Sequence, residues 1–284
     1  MKYLCLTLLL AASCSRPAGR IEAPHPRIVS LIPNATEIVF GLGMGGHMVG
    51  ATRYCDRPEA AKSIPRVGGI LDVSVEAVLA ADPDLVIGSS HVLRGHLASM
   101  LGRAEVKILP LDFDTAESVI EGIKAIGRAV GRESKAESMV ASLKRDLRDL
   151  KDRALRNPRI KVLFIAGSNP LVVASRASFL GDLLERMGVE NVVGSRAVPY
   201  PTWSLEQVLR ADPDVLLNGA SEAGDIMASL ASGGVRAARE GRVVAKVDQA
   251  ILRPGPGSGR AALGLADEIV KVDAALSGSR RPTR

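Results

Sequence analysis

Aromatic residues are scarce: only 3% of the 284 residues are Phe, Tyr or Trp, with a single Trp. Platforms that stack nucleic-acid bases are built from such rings, so that function is disfavoured. The net charge of +6 does not restore it. Lys144, Arg145, Arg148 and Lys151 alternate with Asp146, Asp149 and Asp152, the pattern of a solvated helix face. No nucleic-acid partner is expected. Histidine is sparse too. His25, His47, His91 and His96 are scattered without zinc-ligand spacing, so no metal site is expected. Neither G-x-S-x-G nor H-E-x-x-H occurs, and no nucleophile–base pair stands out, so neither an enzyme nor a bound cofactor is expected. Beyond the first residues the one cysteine is Cys55, which leaves no intramolecular disulfide and is expected to be buried and unreactive. No apolar run is long enough for a transmembrane helix.

The first residues carry an address. Lys2 precedes the short apolar run Leu4 to Ala12, which reads as an export signal over residues 1–13. Ala11, Ala12 and Ser13 before Cys14 are similar to a bacterial lipobox, although Ala11 stands where Leu is commoner. That likeness implies cleavage before Cys14 and lipidation of its sulfur, so contact with a membrane through an anchor alone. Residues 14–26 read as a flexible tether.

An internal repeat organises the rest. Ser74, Glu76, Val78, Leu79, Ala81, Asp82, Pro83 and Asp84 recur 130 positions later as Ser204, Glu206, Val208, Leu209, Ala211, Asp212, Pro213 and Asp214. Each copy predicts a helix capped by Ser and stopped by Asp-Pro, then a buried strand (Leu85 to Ile87, Val215 to Leu217). Further strands are predicted over Arg27 to Leu31, Val106 to Leu109, Lys161 to Ile165 and Val243 to Val247. Asn34 with Glu37 three residues on is expected to form a capping box. Helices are predicted over Thr115 to Val130 and Glu133 to Arg156, the second about 36 Å long and closed by Asn157-Pro158. Gly41, Gly43 and Gly46 match G-x-G-x-x-G but follow a helix instead of a strand, so they read as a helix stop.

The fold class expected is α/β, with two three-layer lobes around mostly parallel sheets, joined by a long rigid backbone helix. Its boundaries are an N-terminal lobe over 27–113, a linker with the backbone helix over 114–159, a C-terminal lobe over 160–275 and a tail over 276–284.

On these residues the chain resembles the helical-backbone (class III) periplasmic solute-binding proteins, which serve importers of vitamin B12, haem and ferric siderophores. The likeness spans Arg27 to Ala275. Its motifs are Arg27 to Glu37, Val49-Gly50, Tyr54 to Pro58, Asp82 to Ile87, Glu190 to Val192, Val198 to Pro201 and Glu206 to Leu209. The resemblance implies a ligand cleft between the two lobes, and capture without chemistry. The ligand would be a large chelate, cobalamin or a related corrinoid, with haem or a ferric siderophore as the alternative. It also implies a monomer in the cell envelope that delivers to an ABC importer permease and its ATPase.

Glu76 and Glu206, one per half, correspond to acidic residues that dock on permease arginines in the family. Equally, each carboxylate near a helix start offsets the helix dipole. Tyr54, Tyr200 and Trp203 fall in predicted loops, where rings from both lobes can grip a planar chelate. Ser90 and His91 follow a predicted strand at its carboxyl end, where open α/β sheets place ligands. In the second half Asn169 lies in the turn after the first predicted strand, and Gln249 and Arg253 follow the last, where they can meet a ligand. Ile70 and Leu71 stand where the vitamin B12 branch carries a stacking Trp, which retains an apolar contact but not a flat one.

Overall fold

Side chains alternate across each strand, and that alternation decides how the sheets are covered. The computed structural model describes residues 26–153, 160–220 and 223–279. The export signal, Cys14, the tether up to His25 and the expected Asn157-Pro158 stop lie outside those residues. The first sheet is parallel, in the order β2-β1-β3-β4, from β1 (Ile28–Ser30), β2 (Met48–Ala51), β3 (Leu85–Gly88) and β4 (Lys107–Pro110). The second holds β5 (Lys161–Gly167), β6 (Val172–Val173), β7 (Glu190–Asn191), β8 (Val215–Asn218) and β9 (Val243–Val244). Its order is β6-β5-β8-β9 with β7 also on β5, and only β6 runs antiparallel.

Ten α-helices cover the sheets among the described residues: α1 (Pro33–Gly41), α2 (Val75–Ala80), α3 (Gly95–Arg103), α4 (Ala116–Ala129), α5 (Glu133–Asp152), α6 (Phe179–Arg186), α7 (Leu205–Ala211), α8 (Ala223–Ser232), α9 (Arg236–Arg239) and α10 (Ser258–Ser279). Val29 and Val86 face outward onto Val78, Leu97 and Leu101 of α2 and α3. In the second sheet Leu163, Ile165 and Leu216 face Val208, Leu230 and Ala237 of α7, α8 and α9. The opposite faces meet in one cluster. It runs from Ile28, Leu85 and Ile87 through Ile123, Ile126, Leu143 and Leu147 to Phe164, Leu217 and Ile269. The two lobes therefore share a core through α4 and α5, and separating them would expose apolar surface.

The repeat is structural in detail. Ser74 Oγ accepts from the Ala77 amide, and Ser204 Oγ accepts from that of Gln207, which caps back onto Ser204. Asp82 and Asp212 turn left-handed, at φ +48° and +41°, because the following proline disfavours a further helical residue and Asp tolerates that region. Asp84 and Asp214 each accept a hydrogen bond from the amide that opens their own lobe's first strand, Arg27 at 2.8 Å and Lys161 at 3.0 Å.

Three expectations need correction. Asn34 and Glu37 form no capping box: α1 starts two residues earlier, with Ile32 at the N-cap and Pro33 in the first turn, where its missing N–H costs nothing. The backbone helix α5 ends at Asp152, so its 20 residues span about 30 Å at 1.5 Å each. The strand expected over Val243 to Val247 is only Val243–Val244. Close packing sets α5 against α10. A Cβ added at Gly259 would lie 2.7 Å from Asp146 Cβ and 3.1 Å from a Leu143 methyl. Among the described residues, no helix is long and apolar enough to cross a membrane.

Candidate functional site

Parallel strands send their carboxyl ends, and the loops that follow, to one end of each sheet. In the first lobe the loop after β2 is held from beneath. Arg66 donates to the carbonyls of Thr52 (2.9 Å) and Cys55 (3.1 Å), and also to those of Ala61 and Lys62. Cys55 is fully buried beside Thr52 Oγ1, 3.2 Å away. With Cys55 turned in, Tyr54 is turned out and is 51% exposed. Arg53 sits 6.0 Å from the Tyr54 ring centroid and forms a two-pronged pair with Asp72, at 3.0 and 2.7 Å. That pair ties the Tyr54 loop to the turn holding Ile70, which is half-buried, and Leu71, which is 92% exposed.

The second lobe presents Tyr200 on a segment pinned at three points. Ser175 Oγ donates to the Val198 carbonyl (2.6 Å), the Ser175 amide to that of Pro199 (2.9 Å), and the Val173 amide to that of Pro201 (3.0 Å). The Tyr200 ring keeps 44% of its surface exposed. Enclosure around the hydroxyl raises its pKa, with the Asp114 charge adding to the rise and a hydrogen bond with Ser178 opposing it. Trp203 is placed otherwise. It packs half-buried against the outer-face cluster of the second sheet, and its amide donates to Leu171.

The remaining expected residues are dispersed. The Ser90 amide donates to Asp112 at 3.1 Å, and the exposed His91 pairs with Arg94. Asn169 is exposed in the β5–β6 turn, and Gln249 is half-buried where Asp248 caps the Ala250 amide. Glu76 and Glu206 are exposed near the starts of α2 and α7. The backbone amide of Glu76 and the Ser74 hydroxyl, 3.0 Å away, hold the Glu76 carboxyl below the usual range. Leu205 and Leu209 are also exposed, on the same helix as Glu206. No cluster of three or more potential metal-ligating side chains occurs among the described residues. A cavity of about 390 Å³ lies against α4, α5 and α6 and includes Ile120, Lys144, Leu147, Arg148 and Arg186, well apart in sequence from these loops.

Arg253 is what joins the two lobes on the loop side. Its Nη1 donates to Asp56 Oδ1 at 2.7 Å and to Glu37 Oε1 at 3.3 Å. Beside it Asn34 Nδ2 donates to the Pro254 carbonyl at 3.0 Å. Arg253 holds the Asp56 carboxyl below its ordinary pKa, against a smaller opposing effect of burial. Burial raises that of Glu37, with Arg253 opposing. Sequence inspection finds Arg253 but misses Glu37 and Asp56 as its partners and Asn34 as that of Pro254. They stand about 200 positions away, and no local pattern marks a pairing of that range.

Comparison with known proteins places the arrangement. The sequence matches the periplasmic binding protein family over residues 28–249. The vitamin B12-binding protein of Pectobacterium atrosepticum is 26% identical over 228 residues, 78% of this chain and 80% of that one. Two solved structures align over nearly their whole length. The periplasmic heme-binding protein RhuT from Roseiflexus sp. RS-1, in apo form, has a TM-score of 0.77 at 26% identity, covering 87% of this chain and 99% of that one. The periplasmic vitamin B12 binding protein BtuF of Vibrio cholerae has a TM-score of 0.76 at 23% identity, covering 88% and 98%, a likeness of fold.

Proposed function

This chain belongs to the periplasmic binding protein family, and on that footing we propose that it captures cobalamin or a related corrinoid and delivers it to the permease of an ABC importer. The observation that carries the ligand class is the pair of exposed rings. Tyr54 and Tyr200, one on each lobe, follow the loop side of strands β2 and β7, which occupy equivalent places beside β1 and β5. Rings held on braced loops lose little freedom on binding, which favours gripping a broad, flat chelate. Ile70, Leu71, Ser90, His91, Asn169, Gln249 and Arg253 furnish apolar and polar contacts around it, and Trp203 buttresses the Tyr200 segment from the outer core. Glu76 and Glu206, borne by repeated helices on separate lobes, dock on basic permease surfaces and fix orientation. The lobes are those bounded at 27–113 and 160–275, with 114–159 as the joining rod. Lipidation at Cys14 would hold the protein at the envelope.

A second reading, haem or a ferric siderophore, has its own support in the exposed phenol of Tyr54, since tyrosinate is an established ligand of ferric iron. Titration of the purified protein with cyanocobalamin, cobinamide, hemin and a ferric siderophore decides between them. A rise in melting temperature with cyanocobalamin is expected by mass action. A strong response to hemin with none to cobalamins would overturn the first reading.

A further inference from the structure

Anionic chelates are usually recognised through arginine forks that are free to pair with ligand carboxylates. Two arginines on the loop side, Arg53 and Arg253, are already paired within the protein. Arg53, under Tyr54, is engaged through both terminal nitrogens by Asp72. Arg253, bridging the lobes, carries Asp56 and Glu37 on one nitrogen, Nη1. The exposed Arg57 acts electrostatically on both of those carboxylates. The group of two carboxylates and two guanidinium ions therefore sums to zero charge, as does the Arg53–Asp72 pair. Asp112 and Asp114, on the loop after β4, add negative charge near Ser90 and Tyr200.

Donor capacity nevertheless remains. Among the described residues, Arg253 Nε and Nη2 donate to no protein group in the contacts seen here, so they are open to an acceptor. A neutralised guanidinium suits an amide carbonyl, which accepts a hydrogen bond without bringing charge. A ligand carboxylate is opposed twice. It meets the field of Asp56 and Glu37, and its pull on the guanidinium weakens the tie on which the half-buried Glu37 depends.

Resting on the proposal that the cleft binds a large chelate, we infer that Glu37, Asp56 and Asp72 act as a charge filter, which admits chelates with uncharged, amide-bearing rims and rejects those with ionised carboxylates. Selectivity is then set by residues that neutralise the arginines, not by residues that need touch the ligand.

The test compares ligands of nearly equal shape and different charge. One pair is cyanocobalamin and its monocarboxylic acid, in which one side-chain amide has been hydrolysed. The other is hemin dimethyl ester and hemin. Affinities are measured by calorimetry on the purified full chain in detergent, for wild type, Glu37→Gln, the double variant Glu37→Gln with Asp56→Asn, and Asp72→Asn. In whichever pair binds, the uncharged member should be tighter by about tenfold or more. The double variant should narrow that gap by tightening the acid, while the uncharged member changes by less than about threefold. Glu37→Gln alone, the mildest change, should move in the same direction if the double variant fails to fold. An acid bound as tightly as its amide or ester by wild type overturns the filter, as does an unchanged gap in every folded variant. Binding of the porphyrin pair alone, with the ester favoured, overturns the cobalamin reading and upholds the filter. Binding of neither pair overturns both.

Discussion

Replacing Arg253 by Met removes the guanidinium that ties the second lobe to Glu37 and Asp56 of the first, and keeps much of its apolar stem. Hydrogen bonds to charged groups contribute about 1.5–3 kcal/mol when sheltered, and breaking a fully buried pair costs about 3–5 kcal/mol. Here the side chains of Arg253, Glu37 and Asp56 are 24%, 27% and 46% exposed, so solvent screening lowers both figures. The Asp56 contact in particular approaches the surface value of roughly 0–1 kcal/mol. A net loss of about 1–2 kcal/mol follows, which for a chain of this size lowers Tm by about 2–8 °C. Its pH dependence has a definite sign. Asp56 has a depressed folded pKa, so its contribution is intact at pH 7 and pH 5 and vanishes only as pH falls through that depressed value. Glu37 has a raised folded pKa, so its ionised form weakens the fold at neutral pH, and protonation relieves this as pH falls. Without Arg253 the Glu37 pKa rises further, and the deficit of the variant should be smaller at pH 5 than at pH 7. Thermal unfolding followed by circular dichroism at the two values reads this directly. A Tm within about 1 °C of wild type at pH 7, or a deficit that widens at pH 5, would refute the reasoning.

Three other perturbations address separate links. Gly259→Ala should destabilise by about 1–3 kcal/mol in urea unfolding, because its Cβ would press on Asp146 and Leu143 where α10 crosses α5. Tyr54→Ala and Tyr200→Ala should each weaken chelate binding about tenfold while shifting Tm by less than about 2 °C, since about half of each residue's surface is exposed; a large loss of stability with unchanged affinity would make them packing residues. Reversing charge at Glu76 and Glu206 together should reduce permease binding and uptake with ligand affinity intact, and undiminished uptake would remove them from docking.

The shared core also bears on motion. One hydrophobic cluster passes from the first sheet through α4 and α5 to the second, so a wide hinge opening would expose apolar surface at about 25 cal/mol per Å². Arg253 and Asn34 add polar ties on the loop side. Both features favour a small rearrangement on ligand capture.

Local chemistry determined much of this protein from sequence alone. Ser74 and Ser204 cap helices, Asp82 and Asp212 stop them before proline, and the apolar runs after them become core strands, because each outcome depends on neighbours within a few positions. The exposure of Tyr54 and the burial of Cys55 were likewise expected from the pattern of the loop and the isolation of the thiol. Asn34 and Glu37 show where such reasoning stops. Their spacing satisfies a local capping rule, but Pro33 starts the helix earlier and leaves both side chains for partners on the other lobe. Trp203 likewise belongs to a loop by sequence, while the face of the second sheet it packs against is known only once the strands are assembled. Pairings such as Arg253 with Asp56 join residues 197 positions apart. Their existence depends on how two lobes settle on a common helical rod, and only the tertiary structure decides that, because no short-range periodicity encodes the distance between surfaces so remote along the chain.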